Sequence, residues 1–229
     1  MIFYQLIDSE TSTFTYLLAD EFTNEAVLID TVLENVDRDL KLISEMGLIL
    51  KYIIDTHVHA DHITGSGELR KRTGAKTAIS SEALVSCADI SLKEGDEINF
   101  GKYSLKALKT PGHTNSCMSF TTDGIVFTGD VLLIRGTGRT DFQEGDAQKM
   151  YDSITKKIFT LPPETKVYPA HDYKGFTYTT VELEKKFNPR IGNNRTLAEF
   201  TEIMNNLKLA PPTKIDVAVP ANKLCGLQI

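Results

Sequence analysis

Closely spaced cysteine pairs, an excess of basic charge and long apolar runs are all missing from this chain. Its three cysteines, Cys87, Cys117 and Cys225, are odd in number, far apart and without C-x-x-C spacing. They read as reduced thiols of a reducing compartment, with no disulfide frame. Lysine and arginine total 25 against 31 aspartates and glutamates, a formal net charge of −6. A protein that tracks a phosphate backbone carries the opposite balance, so no nucleic-acid partner is expected. No stretch nears the roughly 18 apolar residues of a membrane span, so no membrane partner is expected either. The first ten residues, "MIFYQLIDSE", have no basic residue before Asp8 and read as a first strand, not a secretory signal. Neither an internal repeat nor a low-complexity linker divides the sequence. Its 229 residues suit a single domain over 1–229, with 177–229 as a helical and irregular C-terminal cap.

What is present is a regular succession of short apolar runs. "IFYQLI", "FTYLLA" and "AVLID" are long enough for strands and too short for typical helices. Val36, Leu40 and Ile43 share one helical face, and Gly47 stops that helix. "LILKYIIDT" reads as a buried strand, "ITGSGELRKRTG" as a helix and "AKTAIS" as a strand. Hairpins are expected around Gly101 and at Asp123-Gly124. A helix over "AQKMYDSITKKIF" precedes a strand at "KVYPAHD". Two more helices, "TTVELEKKF" and "LAEFTEIMNNLKL", lead into "APPTKIDVAVPANKLCG", whose prolines forbid regular structure.

The chemistry sits at the ends of these strands. Of five histidines in the chain, three fall in the heptad "THVHADH" as His57, His59 and His62. His113 in "TPGHT" and His171 in "PAHD" also follow strands, as do Asp61 and Asp130. Neutral imidazole and carboxylate are the ligands that zinc, iron and manganese share, and strand-end loops present them from different directions. One isolated histidine is more often a hydrogen-bonded structural residue. Five of five in this placement point to metal.

"THVHADH", "PGHT", "FTGD" and "PAHD" resemble the ordered metal motifs of the metallo-beta-lactamase superfamily. The resemblance implies an α/β fold, an αββα sandwich of two mixed sheets flanked by helices. Two ligand arrangements fit the motifs. In the two-metal hydrolases, His57, His59 and His113 would hold one ion, Asp61, His62 and His171 the other, and Asp130 would bridge two zincs or a mixed zinc-iron pair. In the alternative, His57, His113 and Asp130 form a facial triad for one Fe(II), and His59, Asp61, His62 and His171 orient it from behind. The ligand list fits both.

"LLIRGTGRTDFQEGD", "HDYKGFTYTTVELEKKFNPRIG" and "VAVPANKLCG" extend the resemblance over nearly the whole chain, toward the persulfide dioxygenases and away from the glyoxalase II hydrolases. That family implies one Fe(II) on His57, His113 and Asp130. It implies oxidation of glutathione persulfide by dioxygen and water to sulfite and glutathione. Arg139, Tyr173 and Arg190 match its positions for glutathione contact. The plain alternatives are an Arg139–Asp141 pair, a Tyr173 ring packed on the metal loop and a solvated Arg190. Thr137 departs from the pattern, since many relatives have cysteine there, so thiol chemistry at that position is not expected. Cys117 and Cys225 read as packing residues. The resemblance leaves room for a homodimer. It implies a cytoplasmic location in a bacterium and the mitochondrial matrix in a eukaryote.

Overall fold

Short turns join the first strands into a meander, and helical crossovers add the rest of the sheet. In the computed structural model, which describes residues 1–210, 212 and 214–227, β1 (Ile2–Asp8), β2 (Thr13–Ala19) and β3 (Glu25–Ile29) pair antiparallel. Next come α1 (Val36–Glu45), β4 (Ile49–Ile54), α2 (Ser66–Thr73), β5 (Lys76–Ser80) and β6 (Ile90–Leu92), with β3 to β6 parallel. Parallel neighbours require crossovers; α1 and α2 provide those from β3 to β4 and from β4 to β5, while residues 81–89, with one 3-10 turn over Ser81–Ala83, return the chain from β5 to β6. Gly47 lies in the left-handed region just past α1, as the helix stop requires.

The second sheet is built from hairpins. β7 (Glu97–Phe100) and β8 (Tyr103–Lys109) pair around Gly101; β9 (Met118–Thr122) and β10 (Ile125–Gly129) pair around Asp123-Gly124. Both turn residues of the latter have positive φ, the geometry that matches the twist of a two-residue hairpin. α3 (Ala147–Lys156) then carries the chain over to β11 (Lys166–Pro169), parallel to β10, and β12 (Thr179–Thr180) closes the edge. α4 (Val181–Phe187) and α5 (Leu197–Asn205) follow.

Three apolar layers hold this together. Tyr16, Ile29 and Ile54 of the first sheet meet Phe100, Phe120 and Phe127 of the second. Val36, Ile43 and Leu69 of α1 and α2 cover Leu17, Leu28 and Ile53 from outside. Met150, Ile154 and Phe200 of α3 and α5 cover Val126 and Val167. β2 is therefore buried on both faces, and its burial does not alternate along the strand. This is the expected αββα sandwich of two mixed sheets.

Two expectations fail in the C-terminal region. α6 (Ile215–Asn222) forms despite containing Pro220. The proline removes one backbone donor, while bonds on either side persist, Ala218 N–H to Lys214 O at 2.7 Å and Lys223 N–H to Val219 O at 3.1 Å. Buried Ala218 and Asn222 anchor the helix against the body. Pro211 lies outside the described residues. The second failure is the reading of Cys87 and Cys225 as reduced thiols: they form a disulfide across 138 residues, with Cα atoms 6.1 Å apart. Sequence spacing cannot report a pair brought together only by the fold. Among the described residues, no helix is long and apolar enough to cross a membrane.

Candidate metal centre

Strand termini converge on one edge of the sandwich. β4 delivers Asp55 to His62, β10 delivers Asp130, β11 delivers His171, and the β8–β9 connection carries His113. An isolated bridge between Thr13 and His171 ties the first sheet to the second at this edge. Donor atoms of His57, His113 and Asp130 lie within 4.8 Å of one another, as do those of His59, Asp61 and His62. The rings of His57 and His113 are 5.0 Å apart at near right angles, and those of His59 and His62 are 4.4 Å apart. His171 Nε2 is 3.5 Å from Asp61 Oδ2 and 3.8 Å from Asp130 Oδ1, between the two groups. All seven expected residues thus meet in one place.

Each ring is oriented through one nitrogen. His57 Nδ1 is 2.9 Å from Thr56 Oγ1, whose hydroxyl donates to Asp30 at 3.0 Å. Asp30 Oδ1 also meets His59 Nε2 at 3.1 Å, and Asp61 Oδ2 meets His62 Nδ1 at 3.0 Å. His113 Nδ1–H donates to the Arg139 carbonyl at 2.8 Å, which leaves Nε2, 3.6 Å from Asp130 Oδ2, with its lone pair. His59 Nδ1, His62 Nε2 and Asp130 Oδ1 are buried and have no hydrogen-bond partner among the described residues. Stranded polar atoms of this kind are costly unless something fills them. A bound cation fits that need, and the neighbouring hydrogen bonds supply the ring orientation that metal sites require.

Charge states agree with ligation. Burial holds the His57 and His59 rings well below their ordinary pKa, so both are neutral and offer lone pairs. Burial opposes ionisation of Asp130, but His171, His113 and His57 outweigh it and keep the carboxylate charged. Asp30, Asp55 and His59 form a third cluster. Its carboxyls are already committed, Asp30 to Thr56 and Asp55 to Thr64 and Ser66, and burial pushes them up to about 6 and about 7. This network supports the loop from behind.

A cavity of about 540 Å³ opens over the centre, and Arg139, Tyr173 and Arg190 all line it. The Arg139 guanidinium is clamped by Asp141, at 2.6 and 2.8 Å, and donates to the Ala210 carbonyl at 2.7 Å. Pairing with Asp141 and lining the cavity therefore hold together. Tyr173 stacks on His171 with ring planes 4° apart and is 70% exposed. Arg190 is half-buried, not solvated, and donates to the Thr137 carbonyl. Lys174 and Lys214 also line the cavity; Lys214 is paired with Glu10 of the same lining at 2.9 Å, so Lys174 is the added positive charge that no motif announced. Asp30 was missed as well, although its place at the end of "AVLID" repeats the strand-then-aspartate pattern of Asp55 and Asp130.

Gly138 bears directly on the centre. A Cβ there would lie 2.3 Å from the Asp130 carbonyl oxygen and 2.9 Å from His113 Nδ1. Gly138→Ala is expected to displace both residues and lower kcat by about 100-fold while the fold persists, checked by turnover alongside circular dichroism. Cys117 is buried, and burial pushes its thiol up to about 12. Iodoacetamide at pH 8 is expected to leave Cys117 unmodified in the folded protein and to alkylate it in denaturant, as mass spectrometry would show.

Residues 9–171 match the metallo-beta-lactamase superfamily. The chain is 50% identical over 226 residues to human "Persulfide dioxygenase ETHE1, mitochondrial", covering 98% of this chain and 88% of that protein. It superposes on the crystal structure of ETHE1 from Myxococcus xanthus with a TM-score of 0.97 at 54% identity, covering 99% of this chain and 100% of that one. The mouse hydroxyacylglutathione hydrolase-like protein is more distant, 32% identical over 183 residues, 77% of this chain and 62% of that protein. Shared motifs, a shared sandwich and similarity that runs past the metal motifs to the C-terminal segment lead to one assignment: the chain belongs to the persulfide dioxygenase family of the metallo-beta-lactamase superfamily.

Proposed function

We propose that this protein oxidises the terminal sulfur of glutathione persulfide with dioxygen and water, giving sulfite and glutathione, at one Fe(II) held by His57, His113 and Asp130. Similarity to persulfide dioxygenases over 98% of the chain carries this reading. Two histidines and one carboxylate with donors within 4.8 Å support it, since this set suits a facial triad. When bound, the iron would supply open positions for substrate and dioxygen. Arg139 and Arg190 offer planar guanidinium groups to the carboxylates of glutathione, and Tyr173 offers a hydroxyl at the cavity mouth. His113 links the two functions, because its Nδ1–H is fixed by the carbonyl of Arg139. His59, Asp61, His62 and His171 orient the ligands. The chain works as one unit over 1–229, with 177–229 as a cap that contributes Arg190. The same reading places it in the cytoplasm of a bacterium or the mitochondrial matrix of a eukaryote.

A second reading, a two-metal hydrolase of the glyoxalase II type, is favoured by one observation: His59 Nδ1 and His62 Nε2 are buried without partners. The two readings part on metal count and reaction. Iron-loaded protein is expected to consume oxygen with glutathione persulfide, to contain about one metal per chain, and to leave S-lactoylglutathione uncleaved. Two metals per chain with thioester cleavage and no oxygen uptake would replace the dioxygenase reading with the hydrolase.

A further inference from the structure

The backbone of the histidine loop is held by a side chain 160 residues away in sequence. Asn222, at the end of α6, is buried and donates both amide hydrogens into this loop, to the carbonyls of His59 and His62, each at 2.9 Å. Its Oδ1 accepts from the Thr64 amide at 2.8 Å. Three residues on, the Cys225 carbonyl accepts from Gly67 N–H at 2.8 Å. A Cβ on Gly226 would lie 2.0 Å from the Thr64 carbonyl oxygen, so the segment presses directly on the loop. No residue of this segment lines the cavity over the metal centre.

The helix that carries Asn222 is weak on its own. It has eight residues, includes Pro220 and has only Ala218 and Asn222 buried. A helix this short needs tertiary ties to persist. Its strongest tie is the Cys87–Cys225 disulfide, which fastens its end to the connection between β5 and β6.

We propose that Asn222 is a positioning residue for the histidine loop, and that the Cys87–Cys225 disulfide latches it there, so that thiol reductants loosen the metal centre. A dithiol supplies two electrons and two protons: the Cys87–Cys225 bond breaks, both sulfurs become thiols, and the dithiol closes to its own disulfide. Cross-linking limits the excursions of the helix end, and cutting it restores them.

The Thr64 and Gly67 amides report on the latch directly, and hydrogen exchange on metal-free full-length protein reads them independently of the proposed activity. After equilibration with oxidised glutathione, alkylation in denaturant is expected to count one free thiol, and after dithiothreitol three. Reduction is expected to speed exchange at Thr64 and Gly67 by about tenfold or more. Cys87→Ser is expected to be fast with or without dithiothreitol, and Asn222→Ala fast at Thr64 in both states. In the loaded enzyme, which rests on the dioxygenase reading, both variants are expected to lower kcat about fivefold or more and to leave KM for glutathione persulfide within about twofold. Three free thiols after oxidised glutathione, or exchange at both amides unchanged by reduction, would overturn the latch. Exchange that responds to reduction in a protein without dioxygenase activity would uphold the latch and reject the proposed function.

Discussion

Asp130→Ala is expected to reduce oxygen uptake with glutathione persulfide by about 10,000-fold or more, and to strip the protein of metal on dialysis. Asp130 is the one carboxylate in the proposed triad, and so the only one of the three that would bring negative charge to a cation. Its Oδ1 is buried without a protein partner, and Oδ2 stands 3.6 Å from His113 Nε2. Alanine removes that charge and leaves His57 and His113 to hold the ion alone. His57→Ala and His113→Ala are expected to behave alike, because a facial set of three does not survive as two. His59→Ala and Asp61→Ala are the contrasting pair. As residues that orient ligands, they should cost about 10 to 100-fold, with metal retained. In a two-metal hydrolase these same substitutions would empty one site and match His57→Ala in severity. Elemental analysis and an oxygen electrode, applied to all five variants, separate the two patterns.

How far the sequence reached follows from the range of each interaction. The hairpins at Gly101 and Asp123-Gly124 were legible because turn chemistry is local: the residues that reverse the chain are the ones read. The candidate metal ligands were legible for a related reason. Loops at strand ends are short, so "THVHADH" prints three ring positions of one site in a single run. Asn222, Asp30 and the Cys87–Cys225 pair had no such local sign. Their partners lie 26 to 163 residues away and become neighbours only when two sheets and a terminal helix are assembled. Pro220 misled in the opposite direction. A local rule against proline in helices was outweighed by burial of Ala218 and three hydrogen bonds at Asn222, forces that the rule does not contain.

Glu184→Ala is expected to be the most damaging substitution away from the metal residues, lowering stability by about 3 kcal/mol and the melting midpoint by about 6–12 °C. Glu184 lies on α4 and is fully buried. Its carboxylate accepts from the Arg135 backbone N–H at 3.0 Å, from Thr179 Oγ1 at 2.8 Å and from Asn188 Nδ2 at 2.8 Å, and pairs with the Arg135 guanidinium. Arg135 has φ of +55°, a left-handed conformation uncommon for a residue with a side chain. The carboxylate thus offsets a strained turn as well as a charge. Alanine would leave the partly exposed guanidinium and three donors without this buried acceptor, and removing one partner of such a pair costs more than the pair itself contributes. Asn188 carries the effect toward the cavity: its Nδ2 also donates to the Gly136 carbonyl at 2.9 Å, and its Oδ1 accepts from Arg190 N–H at 2.9 Å. Residues 136–139 and Arg190 line the cavity, so KM for the persulfide should rise along with the loss of stability. Glu184→Gln keeps an acceptor and the shape of the side chain while losing the ion pair, and is expected to fall between wild type and alanine. A melting midpoint for Glu184→Ala within about two degrees of wild type would show that solvent replaces these bonds and that the turn at Arg135 is held by other contacts.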